Sequence, residues 1–110
     1  MPKPFTNEGD RVTKSAIGVA VSDAPEGPWR KLAQNPVLRT SGDGTHFDSM
    51  RVDDACLLVR EGSYWLYYKG RQWDNTPGNT KMGVAFASSP GGPYVKAKGN
   101  PIIPAGHEVL

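Results

Sequence analysis

Apolar positions are densest between Asp53 and Lys69, where the chain reads DDACLLVREGSYWLYYK. Ala55 to Arg60 is an almost continuous apolar run, and Ser63 to Lys69 is a run of aromatics and Leu suited to a buried strand. Glu61-Gly62 between them supplies a tight turn, so the pattern predicts a β-hairpin. Lys14 to Ser22 alternates and is rich in Val and Ile, as a strand is, and Asp23 to Pro28 breaks it with consecutive turn residues. Trp29 to Leu32 then reads as a short strand, closed off by Gln34 to Leu38.

That second pattern occurs twice. Met82 to Ile103 (MGVAFASSPGGPYVKAKGNPII) aligns without a gap on Ile17 to Leu38 (IGVAVSDAPEGPWRKLAQNPVL), each residue answered by the one 65 positions later. Nine of the 22 aligned positions are identical, among them Gly18/Gly83, Lys31/Lys96, Asn35/Asn100 and Pro36/Pro101, a density that chance does not produce. Repeats of this period built from strands and tight turns point to stacked β units, and propeller blades of four antiparallel strands fit best. The expected fold is therefore all-β, with about one and a half blades of antiparallel β-propeller. Residues 1–14 form an irregular lead-in, 15–38 the outer half of one blade, 53–103 a full blade, and 107–110 the start of a next inner strand. On this reading the chain is a slice of a larger architecture.

Composition narrows the class. A chain of 110 residues holds at most one modest core, 13 Gly and 10 Pro demand many turns, and 37% apolar with 22% charged residues argues against disorder. The formal charge of +2 comes from 13 basic and 11 acidic residues spread along the chain, with no basic run to track a phosphate backbone, so nucleic acid is not an expected partner. The N-terminal region lacks the apolar stretch of a secretory signal, and no apolar run reaches the roughly 18 residues of a membrane span, so the chain as given reads as soluble with no membrane partner. Cys56, the one cysteine, sits in an apolar run and reads as a small core residue.

Candidate chemistry gathers where the hairpin begins. Two adjacent acids, Asp53 and Asp54, lead straight into an apolar strand, which is costly unless a cation, hydrogen bonds or ligand meets them. Strand alternation would turn them to opposite faces, Asp54 toward a pocket and Asp53 toward a backbone group or Arg51. Two long polar connections add residues able to touch a ligand: Arg39 to Arg51, with Asp43, His46, Phe47, Asp48 and Arg51, and Arg71 to Thr80, with Arg71, Trp73 and Asp74. Trp73 reads either as an anchor packed on its own hairpin or as a platform for a sugar ring, and His46 either as a solvated loop residue or as a ligand. Nucleotide-binding, zinc-finger and serine-hydrolase motifs are absent, and the scattered acids and two histidines predict neither metal nor cofactor.

The combination of Asp54 to Leu58, the Gly62 to Tyr68 aromatic strand, and the shared phrases GVA, PxGP and NPxx resembles the blades of five-bladed β-propeller glycosidases. Among these it looks most like glycoside hydrolase family 117, the neoagarobiose hydrolase group, with arabinanases and xylosidases of family 43 as wider relatives. The likeness covers roughly residues 15–110. It implies an oligosaccharide ligand, hydrolysis by acid and base groups, and a pocket fed by acids at the starts of innermost strands. Under it Asp54 tunes the acid and holds the substrate, and the His-Glu phrase His107-Glu108 supplies the acid, since a carboxylate neighbour can raise a histidine's pKa. Arg51, Asp53, His46, Arg71 and Trp73 become substrate contacts. No segment matches the family's catalytic-base Asp, so the site is expected to be partial. The contrasting expectation is a non-enzymatic module with relic site residues. Uncovered faces at Val19, Val21, Leu57, Trp65 and Tyr67 further predict a homo-oligomer joined through blade edges.

Overall fold

The computed structural model describes residues 14–72 and 80–103, and there the chain is all-β and antiparallel. Its strands are β1 (Ala16–Ile17), β2 (Ala20–Val21), β3 (Arg30–Lys31), β4 (Leu38–Arg39), β5 (Arg51–Arg60), β6 (Ser63–Arg71), β7 (Thr80–Ala87) and β8 (Val95–Lys96). The last four form one sheet in the order β5-β6-β7-β8, while β1 pairs with β4 and β2 with β3. Among the described residues no helix is long and apolar enough to cross a membrane.

The sequence repeat is a repeat of register. Ala20↔Lys31 and Val21↔Arg30 in the first copy become Ala85↔Lys96 and Phe86↔Val95 in the second, and Ile17↔Leu38 becomes Met82↔Ile103. One side chain explains why Asn recurs. Asn35 Oδ1 accepts from the Val19 amide at 2.8 Å while its Nδ2 donates to the Val19 carbonyl at 2.9 Å, and Asn100 does the same to Val84 at 3.0 Å and 3.0 Å. A side-chain amide has the donor and acceptor of a peptide group, so it can pair a strand where the neighbouring chain turns away. The continuous strand expected over Lys14 to Ser22 is observed as β1 and β2 separated at Gly18-Val19, whereas in the second copy β7, paired with β6 along its whole length, is unbroken under the same clasp.

The central hairpin closes through Glu61 and Gly62, both at positive φ (50° and 80°), the two-residue turn whose twist matches the strands it joins. β6 is buried as its aromatic pattern requires, with Leu66 at 3% and Tyr68 at 0% exposure. β5 departs from expectation. From Asp54 to Arg60 every residue is exposed, including Leu57, Leu58 and Val59, and Cys56 is an exposed free thiol rather than a core residue. β5 is the edge strand of its sheet, and apolar sequence buries a strand only where another layer covers it.

The core joins the two copies: Leu38 from the first packs with Phe47, Val52, Leu66, Tyr68 and Ala85, and Ile17, Val37 and Tyr94 close around them. Phe47 lies flat against the sheet, 5.8 Å from the Tyr68 ring centroid. A Cβ at Gly70 or at Gly83 would come within 2.6 Å of the Phe47 ring, so side-chain-free positions in β6 and β7 admit it. The Ser15 hydroxyl bonds the Val52 amide at 2.8 Å and its carbonyl at 2.9 Å, satisfying the open edge of β5 at its start.

Candidate functional site

The acids at the mouth of β5 sit on a β-bulge. Asp53 pairs with Lys69 and Cys56 with Tyr67, so Asp54 and Ala55 together oppose Tyr68. Asp54 takes the left-handed backbone, φ 51°, which Asp tolerates better than most residues. The bulge interrupts the alternation that would have sent the two carboxylates to opposite faces, and both reach the same lysine. Lys69 Nζ lies 2.6 Å from Asp54 Oδ2 and 3.8 Å from Asp53 Oδ1. Arg51 Nε meets Asp53 Oδ2 at 3.4 Å. The Asp54 hydrogen bond, with the charges of both acids, raises the Lys69 pKa against opposing desolvation and the Arg71 charge. Arg71 stands across the ladder from Arg51, at the far end of β6.

The rim is open to solvent at Asp54 and closed at Asp53 Oδ1. The Asp54 side chain is 70% exposed, and Asp53 Oδ1, though buried, has no hydrogen-bond partner. Lys69 is within ion-pairing reach of that oxygen but too far for a hydrogen bond, being committed to Asp54. An ammonium beside two carboxylates offers donor and acceptors in one place, and a sugar hydroxyl is both.

A second cluster lies under the connection that leads into β5. Asp48 is 2% exposed, and its Oδ2 accepts from the Tyr68 hydroxyl at 2.9 Å and from Lys96 Nζ at 2.7 Å. Lys96 also donates to the Arg39 carbonyl at 2.7 Å, and Asn100 Nδ2 donates to the Tyr68 hydroxyl at 3.3 Å. Burial first, then the Asp48 charge and hydrogen bond, push the Tyr68 phenol well above its ordinary pKa. A cleft of about 400 Å³ opens beside this network, lined by residues 45–48 and by Lys96, Lys98, Asn100 and Pro101.

His46 lines this cleft, its Nδ1 2.7 Å from the Ser41 hydroxyl and its Nε2 3.4 Å from Asp43 Oδ2. The Thr45 amide and hydroxyl both donate to Asp43 and lower its pKa, so the three side chains hold the loop's shape. Arg51, Asp53 and Asp54 are thus brought together, and His46 belongs to the other cluster. Trp73, His107 and Glu108 lie outside the described residues. Sequence reasoning passed over Lys69, Lys96 and Tyr68 as site residues and left Asp48 as one polar loop residue among several. The identity of Lys31 with Lys96 across the repeat was the available signal for Lys96. Among the described residues no three His, Cys, Asp or Glu side chains gather as a metal would need.

The fold and rim define an all-β, antiparallel repeat chain with an acid-lysine cluster at the start of one strand. In sequence the chain is 34% identical over 62 residues to extracellular endo-α-(1→5)-L-arabinanase 2 of Bacillus subtilis, a match covering 50% of this chain and 13% of that protein. It is 36% identical over 66 residues to the extracellular endo-α-(1→5)-L-arabinanase of Thermotoga petrophila, covering 50% of this chain and 14% of the relative. The chain therefore spans only about an eighth to a seventh of the curated relatives it matches. No family model matches. The partial similarity is to glycoside hydrolases.

Proposed function

We propose that this chain is part of a β-propeller glycoside hydrolase and that the Asp53-Asp54-Lys69 rim contacts an oligosaccharide. In this reading β5 to β8 are one blade, the first copy of the repeat is the outer half of a neighbouring blade, and residues 107–110 begin another inner strand. The observation that carries it is the bulge, which presents the exposed Asp54 carboxylate beside a lysine shared with Asp53. Because both relatives are named for α-(1→5)-L-arabinan, arabino-oligosaccharides stand ahead of the neoagaro-oligosaccharides suggested by the family 117 likeness. Asp54, held by Lys69, fits a substrate-holding and acid-tuning role, with His107 as proton donor, Glu108 beside it, and Arg51, Arg71 and Trp73 as further contacts.

Titration of the chain with α-(1→5)-arabino-oligosaccharides, and separately with neoagaro-oligosaccharides, tests this by thermal shift and by reducing-end release. Arabino-oligosaccharide should stabilise the fold saturably, and Asp54→Asn should weaken that effect about tenfold, as loss of about 1.4 kcal/mol of binding does. No stabilisation and no turnover with either sugar would leave the alternative, a non-enzymatic assembly module. The exposed Leu57, Leu58 and Val59 on β5 are the feature favouring that alternative.

A further inference from the structure

The β7–β8 side of the seat that holds Phe47 and Asp48 occurs twice in the chain and is occupied once, while its β6 side, Tyr68 and Gly70, has no counterpart among the described residues. In the second copy, Phe47 lies over Gly83 and Asp48 pairs with Lys96, and the walls they meet include Asn100 and Pro101. The counterparts 65 residues earlier are Gly18, Lys31, Asn35 and Pro36, and with Val19 and Ala20 they line an open groove of about 460 Å³. The backbone beneath is equivalent, down to the asparagine clasp on Val19 and Val84. The difference is cover. Gly83, Val84 and Ala85 are buried, with Phe47 against Gly83 and in one cluster with Ala85, whereas Gly18 and Ala20 are exposed and Val19 half-exposed. Among the described residues no carboxylate ion-pairs with Lys31, the counterpart of the lysine that holds Asp48.

We propose that the Gly18-Lys31-Asn35 groove is a docking site for a peptide segment carrying an aromatic residue followed directly by an aspartate. The aromatic ring lies over Gly18, which has no side chain to obstruct it, and the carboxylate meets the Lys31 ammonium, as Phe47 and Asp48 do one repeat later. Charge and shape both select this occupant: an apolar floor of small residues with one cation at its side suits a ring joined to an acid. A second copy of this chain is a poor source, because its own Phe47 and Asp48 are 8% and 2% exposed and already held in their own sheet. The inference concerns a surface other than the acid rim and does not depend on sugar binding.

The test uses the isotope-labelled chain and a capped synthetic peptide with the sequence of residues 44–49 (GTHFDS), titrated to millimolar concentration while amide signals are followed by NMR. Saturable shifts at the amides of Gly18, Val19 and Ala20 are expected. Replacing the peptide's phenylalanine by alanine, or its aspartate by asparagine, should weaken binding by about tenfold. Lys31→Glu should do the same, and a peptide with lysine in place of aspartate should recover binding to that variant. Lys31 is exposed, so its replacement leaves the core intact. No shifts at residues 18–20, or shifts confined to the region around Lys96 and Asn100, would overturn the proposal, the latter by showing exchange with the chain's own segment.

Discussion

Replacing Lys96 by methionine isolates the buried ion pair, because methionine keeps much of the side chain's apolar stem and loses the ammonium. Asp48 would then remain at 2% exposure with the Tyr68 hydroxyl but without its cation. Removing one partner of a fully buried pair costs about 3–5 kcal/mol. Lys96 is 31% exposed, so water screens part of the interaction, and the expected loss falls to about 2–3 kcal/mol. For a domain of this size that is a fall in Tm of about 10–20 °C. The repeat supplies an internal control. Lys31→Met changes the same residue at the same register position where no carboxylate is paired, and should cost under about 0.5 kcal/mol. Urea unfolding of both variants, followed by near-ultraviolet circular dichroism, measures the difference. Equal losses at the two lysines would refute the argument, since the pair with Asp48 and the bond to the Arg39 carbonyl are what distinguish them.

Tyr68 should make the fold sensitive to alkali. Its pKa is raised in the folded state, so its contribution is whole below about pH 10 and is lost as the unfolded phenol ionises above that pH, at up to about 1.4 kcal/mol per pH unit. Urea midpoints across pH 9 to 11 should fall more steeply for the wild type than for Tyr68→Phe, and parallel curves would count against it. Exposed Leu57, Leu58 and Val59 on an edge strand should drive self-association, which light scattering over a dilution series would detect and Leu57→Lys should reduce; a monomer at every concentration would exclude edge-to-edge assembly.

The repeat and the central hairpin were legible because they are local. Gly27 and Gly92 at positive φ and the Glu61-Gly62 turn act within a few residues of where they stand in sequence, and each asparagine reaches 16 residues back within its own copy of the repeat. Burial was less legible, because it depends on what covers a strand: the same apolar density that buries Leu66 leaves Leu58 and Cys56 open on the edge. The bulge at Asp54 was hidden for another reason. Two adjacent acids look like ordinary alternation, and only the register against Lys69 and Tyr67 shows that one extra residue has been inserted. Asp48 was obscured by its surroundings in sequence, a polar connection, although its partners Tyr68 and Lys96 come from strands 20 and 48 residues away.

The two acid clusters differ in how far the protein's own donors already occupy them. Asp48 is 2% exposed and accepts from two protein donors on one oxygen, so a ligand hydroxyl bonding to that oxygen would compete with Lys96 and Tyr68. Displacement would cost as much as the pair contributes, which makes Asp48 an anchor for the connection that carries the chain into β5. Asp54 is held by a single lysine and faces solvent, so a hydroxyl can approach its carboxylate without displacing Lys69, whereas the Asp53 oxygen beside it is buried. The anchor also fixes the rim. Three residues after Asp48 the chain enters β5 at Arg51, and Ser15 holds Val52, so Asp53 and Asp54 project from a strand whose start is secured on both sides. A rigid start is what the proposed binding rim needs, and the buried Asp48 carboxylate helps to supply it.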